Sequence, residues 1–352
     1  MASLIGWWVI FGYISTLALY AYTFSSYAIS GFEFAHNEIV RKSVAGLIIL
    51  LFTLVNVWSV KGMGKIEDMM VYTKLIILTI IAFVLINNEN TTIPTLLENN
   101  APFNILSILI VASLTFVAFE GFQLVINAVN EMEKPEINIP KSIYIALTLA
   151  IFIYFILAYG AIVAIPFESI ISNQEYALAS GADRILGHWG TNLVILGALL
   201  ATSSAISGTL FGASRQMSVV AKDGYFPSFL TKRKKNIPQY AIVMMATMAF
   251  GLILIGNLKV ILEFGSVTFL LVSLLMAYAN FTIYKETSSS LLITSFAIIG
   301  LLVGMFLIVY YEYTTQAEQL YFIGGLYLLL TLGAWFYSYT KHIIPKEKET
   351  KI

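Results

Sequence analysis

Ten runs of about twenty apolar residues succeed one another along this chain, at 4 to 29, 43 to 60, 69 to 86, 104 to 130, 141 to 165, 189 to 214, 238 to 256, 261 to 284, 288 to 310 and 319 to 340. At 1.5 Å per residue each can cross a hydrocarbon core as a helix. Inside hydrocarbon only helices and closed barrels satisfy their own backbone, so runs of this length fix the fold class. The expectation is an all-α polytopic membrane protein of about ten transmembrane helices, forming one integral domain over 1 to 352. Composition agrees: the chain is 59% hydrophobic and 11% charged, whereas about a quarter of the residues in soluble domains are charged. The first run has Trp7 and Trp8 near its start and lacks a basic region and a small-residue cleavage site, so it is expected to be a retained helix rather than a cleaved signal.

Positive charge sets the expected orientation. If the N-terminus is cytoplasmic, sixteen of the twenty Lys and Arg residues fall on the inner side and only Arg41, Lys42, Arg184 and Lys259 on the outer. The acids show no such bias, with nine inside, ten outside and Glu120 within the membrane. A cell-membrane protein with both termini cytoplasmic is expected. The run TKRKKNIP at 231 to 238 is then explained as a topology anchor, although its charge would also suit anionic lipid or nucleic acid. The outer stretch from Pro166 to His188 is expected to hold one short helix lying across the surface, as a lid or as packing. In the outer loop NNENTTIPTLLENNAP, Asn90 and Thr92 form a glycosylation sequon.

The fourth run carries the strongest candidate for a site. It reads NILSILIVASLTFVAFEGFQLVINAVNEMEKPEINIPK from Asn104 to Lys141, with Glu120 and Gly121 inside it and Phe116, Phe119 and Phe122 close by. A carboxylate in the middle of a membrane helix costs about 2.5 to 3.5 kcal/mol on insertion scales, and so it faces the bundle or a wet cavity. A glycine beside it weakens the helix where a ligand could approach backbone. A tilted, unbroken helix with Glu120 hydrogen-bonded to a neighbour would also account for the pattern.

Enzyme chemistry has little to be built from. The chain has no cysteine, its three histidines lie in loops, and no HExxH, GxSxG or Walker-type pattern occurs. No cofactor or metal is expected. Among the other polar residues inside the spans, Lys74 could snorkel to the headgroups or be buried. ATSSAISGT at 201 to 209, with Ser203 and Ser204, suits close helix packing or a polar site.

Three stretches, VKGMGKIEDMMVYTKL at 60 to 75, FVAFEGFQLVINAVNEMEKPEINIPKSI, and SRQMSVVAKDGYFPSFL at 214 to 230, resemble amino acid permeases of the amino acid, polyamine and organocation family. The likeness runs from end to end. It implies a LeuT-like fold of two inverted five-helix repeats plus two further helices around a mid-membrane site, with the ten runs here as family helices three to twelve. The first two family helices, and the glycine-rich turn that holds the substrate carboxylate, have no counterpart, so the resemblance implies an N-terminally truncated member. Phe119, Glu120, Gly121 and Phe122 match the unwound turn of the sixth helix, whose backbone carbonyls meet the substrate's amino group. Val117 falls where several members place an aromatic gate, with Phe116 beside it as the alternative; Gln123 stands where many relatives have a glutamate. Lys74 matches a fifth-helix lysine that takes the place of sodium, with Ser203 and Ser204 of the eighth helix facing that region.

The function implied is secondary active amino acid transport, proton-coupled or by exchange, with alternating access around a break at 116 to 123. The partners implied are an amino acid or amine substrate and membrane lipid, with no nucleic acid; a homodimer or a separate N-terminal two-helix segment is left open. The alternative is a non-transporting remnant or subunit that needs such a two-helix piece.

Overall fold

The computed structural model describes residues 2–35, 37–58, 60–88, 104–126, 129, 132–173, 177–234 and 237–343. The Asn90 sequon and the basic residues Lys346, Lys348 and Lys351 lie outside the described residues. The chain is all-α: α1 Ala2–Ile29, α2 Glu38–Trp58, α3 Val60–Asn87, α4 Ile105–Leu114, a 3-10 turn Phe116–Phe119, α5 Gln123–Ile126, α6 Pro135–Ala164, α7 Phe167–Asn173, α8 Ala177–Leu186, α9 His188–Lys222, a 3-10 turn Ser228–Thr231, α10 Gln239–Ile255, α11 Leu258–Thr282, α12 Tyr284–Thr287, α13 Leu291–Thr315 and α14 Ala317–Ile343. Among the described residues, seven helices are long and apolar enough to cross a membrane alone, and the bent unit from Ile105 to Ile126 makes an eighth. Helices α2 and α10, of 21 and 17 residues, account for the other two apolar runs.

Several helices outrun their apolar segments. Helix α9 has 35 residues, about 52 Å, and continues beyond the apolar run as far as Lys222. Helix α2 begins at Glu38, before the run, because Glu38, Arg41 and Lys42 form a charged first turn: Arg41 pairs with Glu38 at 3.0 Å, and Lys42 donates to the Leu254 carbonyl that ends α10. The outer stretch expected to be one helix is two, α7 and α8. The second packs onto α9 through the small buried residues Ala179, Gly181 and Ala182.

Helix α1 is the axis. Its residues are apolar on all faces, and it packs against α2, α9, α10, α11 and α14, burying Ile10, Tyr13, Ile14, Leu17, Ala18 and Ala21. Such a helix belongs in the middle of a bundle. At Gly12 the absent side chain lets the Phe269 ring and Thr268 of α11 come close, so α1 and α11 nearly touch at mid-membrane. At its N-terminal end the Trp7 indole donates to the Tyr225 carbonyl and stacks on Phe226, which seats the loop after α9 under α1. Helices α6, α13 and α14 form the apolar periphery, with Phe152, Phe155, Phe296, Phe306 and Phe336 turned outward.

Ser266 of α11 is the polar link of this arrangement. Its hydroxyl donates to the Leu114 carbonyl at the end of α4 and accepts from the Val117 amide at 3.4 Å. Ser266→Ala leaves both backbone groups unpaired in an apolar setting, and a buried group left so costs about 1–3 kcal/mol. The expected result is a loss of about 1–2 kcal/mol in unfolding free energy measured in lipid nanodiscs, with Ser266→Thr close to wild type.

Candidate functional site

The fourth span breaks where Glu120 and Gly121 sit. Helix α4, capped by the Asn104 side chain, runs to Leu114. Thr115 leaves helical geometry, its hydroxyl bonding back to the Val111 carbonyl at 2.8 Å. One 3-10 turn follows, then Glu120 is extended and Gly121 adopts φ +112°. The axis turns by 59° across the break. A β-branched residue with a back-bonding hydroxyl, bulky Phe116 and Val117, and then glycine are the residue types that favour leaving the α-helix there. The open alternative of a continuous helix is thereby closed.

A break inside a membrane frees backbone groups, and most are recaptured. Ser266 takes the Leu114 carbonyl and the Val117 amide, and the Tyr154 hydroxyl of α6 donates to the Ala118 carbonyl at 3.1 Å. The Glu120 amide bonds the Val117 carbonyl, and Leu124 bonds Gly121. The carbonyls of Phe119 and Glu120 accept no hydrogen bond among the described residues. A Cβ built on Gly121 would meet no atom within 4 Å, so the break faces open space on that side.

The Glu120 carboxylate is held by a short chain of side chains. It accepts from the Gln123 amide and from the Ser273 hydroxyl of α11 at 3.4 Å. The Gln123 carbonyl oxygen in turn faces the Tyr13 hydroxyl of α1 at 3.5 Å and the Gly121 amide at 3.4 Å. Helices α1 and α11 thus converge on the break. Phe119 is partly exposed and packs edge-on against Tyr154, with ring centroids 5.4 Å apart. Phe122 and Phe116 are half-buried. Val117 is only 4% exposed and points into the bundle beside Gly265, so the site opening is lined by Phe119 and Gly121 rather than by it.

A second polar set lies between α3 and α9. The Lys74 ammonium donates to the Ser204 hydroxyl at 2.9 Å, which itself donates to the Ala201 carbonyl. Glu67, two turns earlier on the same face of α3, lies against Gly208 and attracts Lys74 electrostatically. Lys74 therefore bonds across to α9 instead of snorkelling. Ser203 is half-buried and makes no side-chain hydrogen bond among the described residues. No hydrogen bond or ion pair joins Lys74 to Glu120 among the described residues; the two sets meet through α9, where Gly212 receives Leu124 of α5. Ser204 and Gly212 are about 12 Å apart along the helix.

The sequence did not single out Tyr13, Tyr154, Ser266 or Ser273, because an isolated tyrosine or serine in an apolar run carries no signal of the face it takes. The opposite error concerns Glu263 and Glu312. Counted with the outer segments in the charge tally, both are 1% exposed inside α11 and α13, so Glu120 is not the only carboxylate in the spans.

A family model described as amino acid permease matches residues 1–323. The chain is 27% identical over 328 residues to an uncharacterised protein of Methanocaldococcus jannaschii, covering 89% of this chain and 73% of that one. It is 26% identical over 345 residues to the inner membrane transport protein YbaT of Escherichia coli, covering 95% and 76%. With the branched-chain amino acid permease BcaP of Bacillus subtilis it shares 23% identity over 280 residues, 73% of this chain and 58% of the relative.

The geometry at Gly121 separates strain from crowding. Gly121→Ala meets no neighbour but forces a side chain onto φ +112°, which costs on the order of 1–3 kcal/mol. Ligand affinity, read by calorimetry or scintillation proximity, should fall by about tenfold or more while the protein stays monodisperse. Unchanged affinity would mean that the turn does not take part in binding.

Proposed function

Because the chain belongs to the amino acid permease family, we propose that it is a secondary active transporter of an amino acid or related amine, driven by protons or by exchange rather than by sodium. It is an all-α multi-pass membrane protein of a transporter family, not an enzyme. The proposed address is the cell membrane, with both termini cytoplasmic.

One observation carries the substrate class: among the described residues, the break leaves the Phe119 and Glu120 carbonyls without donors, beside a carboxylate and an open space at Gly121. An ammonium group has three donors and no acceptor. It would satisfy both carbonyls and the Glu120 carboxylate at once, and the C-terminal end of α4 adds a partial negative charge there. Phe119 and Tyr154 offer an aromatic wall for the substrate's apolar part. Phe116, Val117 and Phe122 shape the turn from behind, Val117 as a core anchor.

Alternating access would use the break as its hinge, since Thr115 to Gly121 are held mainly by side-chain hydroxyls and not by a continuous helical ladder. Lys74 is the proposed coupling residue, with Ser204 as its partner and Ser203 alongside. A lysine between helices that must slide past each other can give up its proton in one arrangement and regain it in the other.

Proteoliposomes loaded without sodium and given an inward proton gradient test the reading. Saturable uptake of one or more radiolabelled amino acids, stimulated by the gradient or by internal amino acid, is expected. Lys74→Met should keep substrate binding and lose at least about tenfold of the gradient stimulation. Uptake that requires sodium, or folded protein that binds no amine-bearing substrate, would overturn it. The absence of cysteine makes orientation directly measurable in the same vesicles and in cells. Ser172→Cys should react with an impermeant maleimide from outside, and Lys232→Cys only after permeabilisation.

A further inference from the structure

Glu263 and Glu312 are the most deeply buried acids described, each 1% exposed, and neither belongs to the site at the break. They come from different helices. Glu263 lies in the second turn of α11, and Glu312 in the last turn of α13, so the antiparallel pair brings both to the same side of the bundle. The two carboxyl groups approach within hydrogen-bonding reach of each other, yet none of their four oxygens has a hydrogen-bond donor among the described residues.

The charge around them does not balance. Lys259, one turn before Glu263, stands 3.5 Å from its Oε1 and keeps a 39% exposed side chain that reaches over the Tyr311 ring. Among the described residues, no second cation arrives from the other elements packed on the pair. Helix α1 contributes only tyrosines, α4 has no ionisable residue, and α14 brings an exposed Glu318 together with Tyr321 and Tyr327, whose hydroxyl is occupied with Thr268. Two carboxylates against one ammonium would leave a net negative charge buried between helices, which burial disfavours.

The geometry points to a proton-binding site at this pair: the two carboxyl groups share one exchangeable proton between them, and Lys259 neutralises the one negative charge that remains. The proton arrives from water along Lys259, the exposed member, on the face that is outer in the proposed orientation. Its arrival would be felt at the break, because Lys259, Glu263, Ser266, Leu270 and Ser273 form one stripe at spacings of four, three, four and three residues. Ser266 and Ser273 of that stripe hold the Val117 amide and the Glu120 carboxylate.

Infrared difference spectroscopy on the full purified chain in nanodiscs reads the proton without requiring transport, so failure here is distinguishable from failure of the transporter reading. With Glu120→Gln in the background, raising the pH from about 6 to about 9 should remove a protonated-carboxyl band. Adding Glu312→Gln should abolish the band, a loss of one carboxyl per chain. Lys259→Met keeps both acids but removes the neutralising charge, and should increase the band as the second carboxyl also takes up a proton. A band unaltered by both substitutions in monodisperse protein overturns the proposal, as does a signal that follows sodium concentration and not pH.

Discussion

Hydrocarbon offers a peptide group no partner, and the structure depends on how the broken fourth span answers that constraint. A helix end leaves up to four amides or four carbonyls unpaired, and each costs several kcal/mol in an apolar medium if nothing replaces the lost bond. Here hydroxyls from two other helices do so, Ser266 from α11 and Tyr154 from α6. The break is therefore not a local irregularity but a junction: α4, α6 and α11 are positioned by the groups they lend to it. The two carbonyls left over at Phe119 and Glu120 are the exception, and they coincide with the open side of Gly121.

The same economy of polar groups governs the charges. Among the described residues, the Lys and Glu side chains held inside the spans sit on the inward faces of α3, α11, α13 and the break, and not on the outward-facing flanks of α6. Lys74 and Glu120 each have a partner from another helix, Ser204 and Ser273, whereas Glu263 and Glu312 face each other with no donor among the described residues. Helix α11 recurs because it crosses α1 at Gly12 and runs behind the break, so one of its faces touches three elements at once. Gly304 of α13, which lies against Ser113 of α4 and Leu270 of α11, marks the point where those three helices meet.

Fold class was legible in the sequence because it rests on a property that adds up over twenty residues, apolar length. The break was legible for a similar reason: a carboxylate, a glycine and three phenylalanines within seven positions leave few explanations. What was not legible depends on single residues taking one helix face. Ser273 and Tyr13 look like any serine or tyrosine in an apolar run, and only the packing of α1 and α11 turns them to Gln123 and Glu120. Glu263 and Glu312 were placed outside because charged residues near a run's edge usually mark the end of a span. In this bundle the helices continue past the apolar boundary, and the neighbouring helices bury what lies beyond it. In the outer stretch the helix formers of α8 showed the helix there, whereas α7, FESIISN, carries no comparable signal.

The positions of the two titratable sets bear on how such a molecule could link one binding event to another. Linkage requires that a group be bound differently in two arrangements of the same element. Lys74 and Ser204 report on α3 against α9, while Glu263 and Glu312 report on α11 against α13. These pairs lie on different helices and share no contact among the described residues. The broken span touches both, through Leu124 on Gly212 of α9 and through Val117 and Glu120 on Ser266 and Ser273 of α11. A tilt of the segment after Thr115 would therefore shift both interfaces together, whereas a movement of either outer pair alone would reach the other only through the break. With no continuous helical ladder between Leu114 and Gln123, that segment has the least backbone resistance to such a tilt, and its position is set by three hydroxyls whose total hold is a few kcal/mol. A ligand seated as proposed on the Phe119 and Glu120 carbonyls would contribute free energy of the same order, enough to decide between two positions of the break.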